Sequence, residues 1–234
     1  MQPPTLALVV GAGPGLSTSI ARALAGRSHR VALVARDTSD LAVFAEEVGA
    51  LRFDCDASDP EAVADLFERL DEEGGELEVA VYNAAFRVQG PIAELDPGDV
   101  RRTLDVTAFG AFLMAHHAAR RMLANGRGTM LFTGASAGVK GYPNSAPFAM
   151  GKFALRGLCQ SLARELHPRG VHVGHVVIDG GIAGTRQWGR SNVAEGEDDL
   201  LDPDALAQTY LHLLDQHRSA WTWEVEARPW IETF

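Results

Sequence analysis

The apolar run Leu6-Ala7-Leu8-Val9-Val10 stops abruptly at Gly11-Ala12-Gly13-Pro14-Gly15-Leu16-Ser17, and no other stretch limits the possible folds of the chain as much. Five apolar residues in a row, without polar alternation, suit a strand covered on both faces, as in a parallel sheet between two layers of helices. Gly11, Gly13 and Gly15 carry no Cβ, so the backbone can turn sharply and approach a bulky anion, toward which a helix opening near Ser17 directs its first N–H groups. The junction reads as a cradle for a nucleotide pyrophosphate. An ordinary strand-to-helix turn is the plainer alternative, because the spacing leaves G-x-G-x-x-G at its last position, Leu16.

The alternation of strand and helix continues along the chain. Ile20, Ala21, Leu24 and Ala25 form a helical stripe closed by Gly26, and Val31 to Ala35 is a second buried strand. The residue that follows such a strand discriminates between dinucleotides, since an acid there binds a ribose 2′-hydroxyl whereas an arginine accepts a 2′-phosphate. Arg36 therefore favours NADP(H) over NAD(H), against the alternative of a merely solvated loop charge. Periodicity predicts helices over 38–48, 59–71, 99–123, 148–166 and 203–212, and strands over 50–53, 77–82, 129–133, 171–178 and 221–225. In Asp56-Ala57-Ser58-Asp59-Pro60 the aspartates suit a turn or the cap of the helix that Pro60 opens. The small residues of Asn83-Ala84-Ala85, at the carboxyl end of the fourth strand, would let a ligand lie close. His116 and His117 are adjacent on a helix and point apart, which disfavours a shared metal and favours an exposed or interface role. Residues 179–201, with the acidic run Glu195, Glu197, Asp198 and Asp199, read as a flap over the site or as a solvated loop, and the tryptophans of the tail suit packing on a partner subunit.

Composition narrows the function classes. With 31 Asp plus Glu against 21 Lys plus Arg and no basic block, binding to a nucleic acid is disfavoured. No apolar run reaches the length of a membrane span, and Met1-Gln2-Pro3-Pro4 leads into the first strand without a signal core, so the expectation is a cytoplasmic protein without membrane association. Cys55 and Cys159 match no metal-ligand spacing and fit a reducing compartment. A chain of 234 residues without an internal repeat is read as one domain spanning 1–234.

Taken together and in order, these motifs resemble the short-chain dehydrogenase/reductase family over essentially the whole chain. Residues Gly11 to Ser17 look like that family's G-x-x-x-G-x-G, with Ser17 for the final glycine and Leu16 between. Asp56-Ala57 matches the pair that holds the adenine, and Tyr82-Asn83-Ala84-Ala85 looks like N-N-A-G with Ala85 in place of glycine. Asp179-Gly180-Gly181-Ile182 resembles the P-G motif beside the nicotinamide, with Asp179 for proline and Ile182 at the residue whose backbone meets the carboxamide. The resemblance implies an α/β, doubly wound Rossmann-like parallel sheet of about seven strands, NADP as cofactor, and a homodimer or homotetramer built on the helices at 99–123 and 148–166.

The positions that would carry catalysis differ. The family uses a tyrosine as general acid/base, a lysine four residues later that lowers the tyrosine pKa and holds the ribose, a serine that orients the carbonyl, and an asparagine that serves a proton-relay water. The corresponding residues here are Phe148, Lys152, Ala135 and Asp105, which places the chain in an atypical branch with phenylalanine for the tyrosine. Three substitutes are available: Ser136, which needs a kink at Gly134 to face the site; Tyr142, from the cleft loop, swung toward Lys152; and a water held by Lys152. Losing general acid catalysis typically costs about 10²–10⁴-fold, so slow hydride transfer to a carbonyl, or from an alcohol, survives such a loss. The readings are thus an NADP(H)-dependent oxidoreductase of a small carbonyl or alcohol, a dinucleotide-binding sensor or scaffold without chemistry, and, because Ser17, Ala85 and Asp179 leave the pattern, a fold that no longer holds a dinucleotide.

Overall fold

A computed structural model of the protein describes residues 5–184 and 200–231. The chain runs β1 (Thr5–Val10), α1 (Leu16–Ala25), β2 (Arg30–Ala35), α2 (Ala42–Val48), β3 (Leu51–Asp54), α3 (Pro60–Glu72), β4 (Glu76–Tyr82) and α4 (Pro97–Leu104). It continues through α5 (Gly110–Asn125), β5 (Gly128–Thr133), α6 (Ala146–Leu166), β6 (Val171–Ile178), β7 (Gly181–Ile182), β8 (Leu200–Leu201), α7 (Pro203–Asp215) and β9 (Glu224–Ala227). Seven strands form one parallel sheet in the order β3-β2-β1-β4-β5-β6-β9, and β7 pairs separately with β8. This is the doubly wound α/β fold that the motifs imply.

Side-chain alternation along each strand sends residues to opposite layers. From β1, Leu6, Leu8 and Val10 join a cluster with Phe67 of α3, Met114 of α5 and Leu155 of α6. Ala7 and Val9 join the opposite cluster with Ile20 of α1, Ala45 of α2 and Tyr210 of α7. Both faces of β1 are apolar for that reason. Each large side chain buried in these layers stabilises the fold by roughly 1.5–3 kcal/mol relative to exposure. Asp59, Asp96 and Asp202 cap α3, α4 and α7 by accepting backbone N–H bonds, each with a proline as the first helical residue. The chain winds outward from β1 to β3 and then crosses back to β4, so the crevice between the carboxyl ends of β1 and β4 is the switch point of the sheet.

Three expected elements are revised. The stretch 38–48 opens with a tight turn at Ser39–Leu41 before α2. The single helix expected over 99–123 is α4, a wide π turn at Asp105–Phe109, and α5. Tyr82 explains the widening, because its hydroxyl donates to the Val106 carbonyl and takes that acceptor from the helical ladder. The last strand is β9 at 224–227 rather than 221–225, since Trp221 is held by its side chain: the ring stacks on His172 at 4.8 Å and Nε1 donates to the Gln216 carbonyl at 3.1 Å. The expected flap falls mostly outside the described residues, including Glu195, Glu197, Asp198 and Asp199, but its two ends meet as β7 and β8.

Where α5 begins, a Cβ on Gly110 would lie 2.3 Å from the Tyr82 hydroxyl and 2.6 Å from the Ala57 carbonyl oxygen, neither of which has room to yield. Gly110→Ala is expected to destabilise the protein by about 2–3 kcal/mol, read as a lower midpoint in urea denaturation; an unchanged midpoint would show that the junction is not tightly packed.

Candidate functional site

The glycine turn after β1 packs directly on the backbone that follows β4. Gly11 has φ +82°, and a Cβ there would lie 2.3 Å from the Ala84 nitrogen. The Gly11 and Ala12 amides both donate to the Val34 carbonyl at 2.9 Å, which ties the turn to β2 as well. Ser17 completes the anchorage: its Oγ donates to the Gly11 carbonyl at 2.9 Å and accepts from Asn83 Nδ2 at 2.7 Å. A glycine at 17 would supply neither bond. Gly15 precedes α1 without a side chain to cap it, Leu16 is buried in the core beneath the turn, and Gly13 faces open space.

A cavity of about 520 Å³ opens beside this turn, walled by Gly11, Arg36, Asp56, Ala57, Ala84 and Ala85 among others. The two aspartates of the turn before α3 divide their tasks. Asp59 accepts from the Glu61 and Ala62 amides as the helix cap, whereas Asp56 accepts from the Ser58 amide at 2.9 Å and hydroxyl at 2.6 Å and stays on the cavity wall. The Ser58 hydroxyl, the Ser58 amide and the charges of Arg36 and Arg102 hold the Asp56 carboxyl below the usual carboxylate range.

A second cavity, of about 1130 Å³, shares Arg36, Asn83 and Ala85 with the first and is walled further by Ser136, Tyr142, Phe148, Lys152, Gly180 and Ile182. The sequence-derived candidates therefore converge on two adjoining spaces over the switch point, with Gly13, Gly15 and Leu16 in the turn beneath rather than on the walls. Lys152 is 3% exposed, and its Nζ donates to the Thr133 carbonyl at 2.7 Å. Burial lowers the pKa of its ammonium from 10.5 to about 8. The Phe148 ring lies 5.7 Å from Lys152 Nζ and 4.9 Å from the Arg87 guanidinium. Ser136 opens a tight turn after β5, which bends the chain enough to bring its side chain to the wall. There the Tyr142 hydroxyl donates to Ser136 Oγ at 3.0 Å, and the cation over the Tyr142 ring is Lys140, at 5.6 Å, while Lys152 turns to Thr133. Asp105 is taken up by Arg101 Nε, 2.8 Å away.

Asp179 makes a bond that a proline at this position would lack: its N–H donates to the Ala227 carbonyl at 2.9 Å, which ties the end of β6 to β9. Its carboxylate faces Lys140 at 3.8 Å and Arg228 at 3.5 Å. Sequence reasoning passed over Arg87 and Arg102, which line the cavities. For Arg87 a signal existed, because no acidic residue lies between Glu78 and Glu94. Among the described residues no three His, Cys, Asp or Glu side chains group as metal ligands, and His117 instead stacks on Phe67 at 5.1 Å.

The family model for short chain dehydrogenases matches residues 5–194. A short-chain dehydrogenase from Rhodopseudomonas palustris superposes with a TM-score of 0.83 at 32% identity, over 97% of this chain and 99% of that one. A metagenomic short-chain oxidoreductase solved in complex with NADP gives a TM-score of 0.83 at 27% identity, over 96% of this chain and 97% of the other. Among curated relatives, the 3-oxoacyl-[acyl-carrier-protein] reductase MabA of Mycobacterium tuberculosis is 31% identical over 75% of this chain and 68% of its own length. Carbonyl reductase family member 4 of Xenopus tropicalis is 29% identical over 88% of this chain and 89% of its own. With the sheet order, the glycine turn at the switch point and these likenesses in agreement, the chain belongs to the short-chain dehydrogenase family.

Proposed function

We propose that the protein is an NADP(H)-dependent oxidoreductase that interconverts a small carbonyl compound and its alcohol, with all of 1–234 forming one dinucleotide-binding domain. The observation that supports this best is the continuity of the two cavities across the switch point, with Arg36 where they join and Lys152 on the wall of the larger. In this reading Gly11, Gly13, Gly15 and Leu16 shape the turn that receives the pyrophosphate, and Asp56 and Ala57 border the adenine. Arg36 takes the 2′-phosphate. Asn83, Ala84 and Ala85 leave room for a ribose that Lys152 holds by its hydroxyls, and Gly180 and Ile182 face the nicotinamide. The bound nicotinamide supplies or accepts the hydride. Proton transfer falls to the chain's own groups: a water held by Lys152, whose pKa of about 8 suits exchange near neutrality, or the hydrogen-bonded pair Tyr142 and Ser136.

A second reading, a dinucleotide-binding sensor or scaffold without chemistry, is favoured by one observation. Phe148 has no titratable proton, and the Nζ of Lys152 is committed to the Thr133 carbonyl. Pairing of copies is a further part of the proposal. Phe109, Phe112, Met150 and Phe153 are between 41% and 49% exposed on the adjoining π turn, α5 and α6, an apolar surface suited to a homodimer or, with a second interface, a homotetramer. The free, buried thiols of Cys55 and Cys159 fit a cytoplasmic protein, and among the described residues no helix is long and apolar enough to cross a membrane.

Calorimetry is expected to show NADPH binding at least about tenfold more tightly than NADH, with the difference lost in Arg36→Ala; equal affinities would remove the NADP assignment, and no heat from either nucleotide would remove both readings. Turnover separates the two. The oxidoreductase reading expects NADPH-dependent reduction of aldehyde or ketone probes above a Lys152→Ala control, slower by about 10²–10⁴-fold than in typical members of the family. A silent wild type restored by Phe148→Tyr with Ala135→Ser would favour the sensor. Light scattering is expected to give a dimer or tetramer mass that falls to that of a monomer in Phe153→Glu, and a monomeric wild type would end the pairing proposal.

A further inference from the structure

Among the described residues on the wall of the larger cavity, Arg87 carries a buried charged side chain with a donor that the protein leaves unanswered. Its Nε is buried and has no hydrogen-bond partner, and among the described residues no carboxylate lies within ion-pair distance of it. The guanidinium face rests on the Phe148 ring, 4.9 Å from its centre. Stacking covers the face of a guanidinium and leaves its donors in the plane, where they form a fork that matches a planar carboxylate. Arginine stays protonated under all working conditions, so Arg87 complements a negative charge and does not donate a proton.

The loop that carries Arg87 is held at both ends. The Phe86 amide donates to Thr107 Oγ1 at 3.4 Å with the Arg102 guanidinium stacked on the Phe86 ring, and the Gly90 amide donates to the Asn144 carbonyl at 2.9 Å. A fixed loop makes a pre-organised donor, which lowers the cost of immobilisation on binding. Among the described residues of this wall the acid is Asp179, which faces Lys140 and Arg228 and leaves Arg36, Arg87 and Lys152 as a local positive excess in a chain of net charge −10. A single negative charge suits one unpaired guanidinium near a carboxylate better than a dianion does.

We propose that Arg87 is a specificity-determining residue that binds the carboxylate of the substrate, so that the protein acts on oxo acids or hydroxy acids rather than on neutral carbonyl compounds and alcohols. The inference rests on the oxidoreductase reading for its substrate, but its test does not. Benzoylformate and methyl benzoylformate have the same carbonyl and differ in charge, and their dissociation constants can be measured by calorimetry with and without NADPH. The expected result is that wild type binds the acid at least about tenfold more tightly than the ester, that Arg87→Leu abolishes the difference, and that Arg87→Lys keeps part of it. Equal affinities in wild type, no binding of the acid at millimolar concentration, or a preference that survives in Arg87→Leu would each overturn it. So would a loss of NADPH affinity in Arg87→Leu, which would assign the guanidinium to the phosphates of the nucleotide. Failure of NADPH to bind wild type, with the acid preference intact, would instead sink the oxidoreductase reading and leave the anion site standing.

Discussion

The turn at Gly11 packs directly on the backbone at Ala84, and much of the architecture depends on that contact. A side chain at position 11 would place a Cβ 2.3 Å from the Ala84 nitrogen, so the turn after β1 could not rest on the end of β4. With that contact made, Ser17 and Asn83 come within hydrogen-bonding reach, and the turn, β2 and β4 lock together through Ser17 and the Val34 carbonyl. A parallel sheet of this order has a switch point with any turn, and a turn this close to the backbone leaves the space above it open, where the cavity lies.

Charge in this protein is arranged by place rather than by total. Most arginines of the outer surface are matched, as in Arg27 with Asp215, Arg127 with Glu76 and Arg156 with Glu224. Exposed pairs of that kind contribute about 0–1 kcal/mol each, so they account for little of the stability. The cleft reverses the pattern. Arg36, Arg87 and Lys152 line it in a chain with ten more acids than bases, and among the described residues neither Arg87 nor Lys152 has an acid as its partner. Buried cations without acids are costly to keep, and a fold that retains them at the mouth of its switch point is suited to anionic ligands.

The sheet was legible in the sequence because its inner strands are covered twice. A strand buried on both faces reads as an unbroken apolar run, and β1, β2, β4, β5 and β6 were each located within a residue or so by that signal. The edge strand β9 lacks it, and the alternation around Trp221 and Trp223 misled because those rings pack by stacking on His172 and near Arg156 rather than by pleating. The π turn at Asp105–Phe109 was invisible for a different reason. Its cause is the Tyr82 hydroxyl, 24 residues away in sequence, and helical periodicity carries no record of a bond from another element. The glycine turn, Asp56 and Asn83 are found through spacing, whereas Arg87 and Arg102 sit in segments with no motif; the acid-free stretch around Arg87 is its one sequence signal, and Arg102 becomes visible only once the chain is folded.

The charge of Lys152 in this cleft is set by burial beside a phenylalanine ring, which has no hydroxyl. Beside a tyrosine, a lysine's charge favours phenolate and is partly answered by it. Beside Phe148 the Lys152 ammonium meets only the negative face of a ring, 5.7 Å away, and the Thr133 carbonyl, which is weaker compensation for removal from water. Its pKa accordingly falls to about 8. Lys152 is thus a buried amine that titrates closer to neutrality than an exposed lysine does. The Phe148 ring also carries the Arg87 guanidinium on its face, so one apolar side chain lies against two of the cations of the cleft.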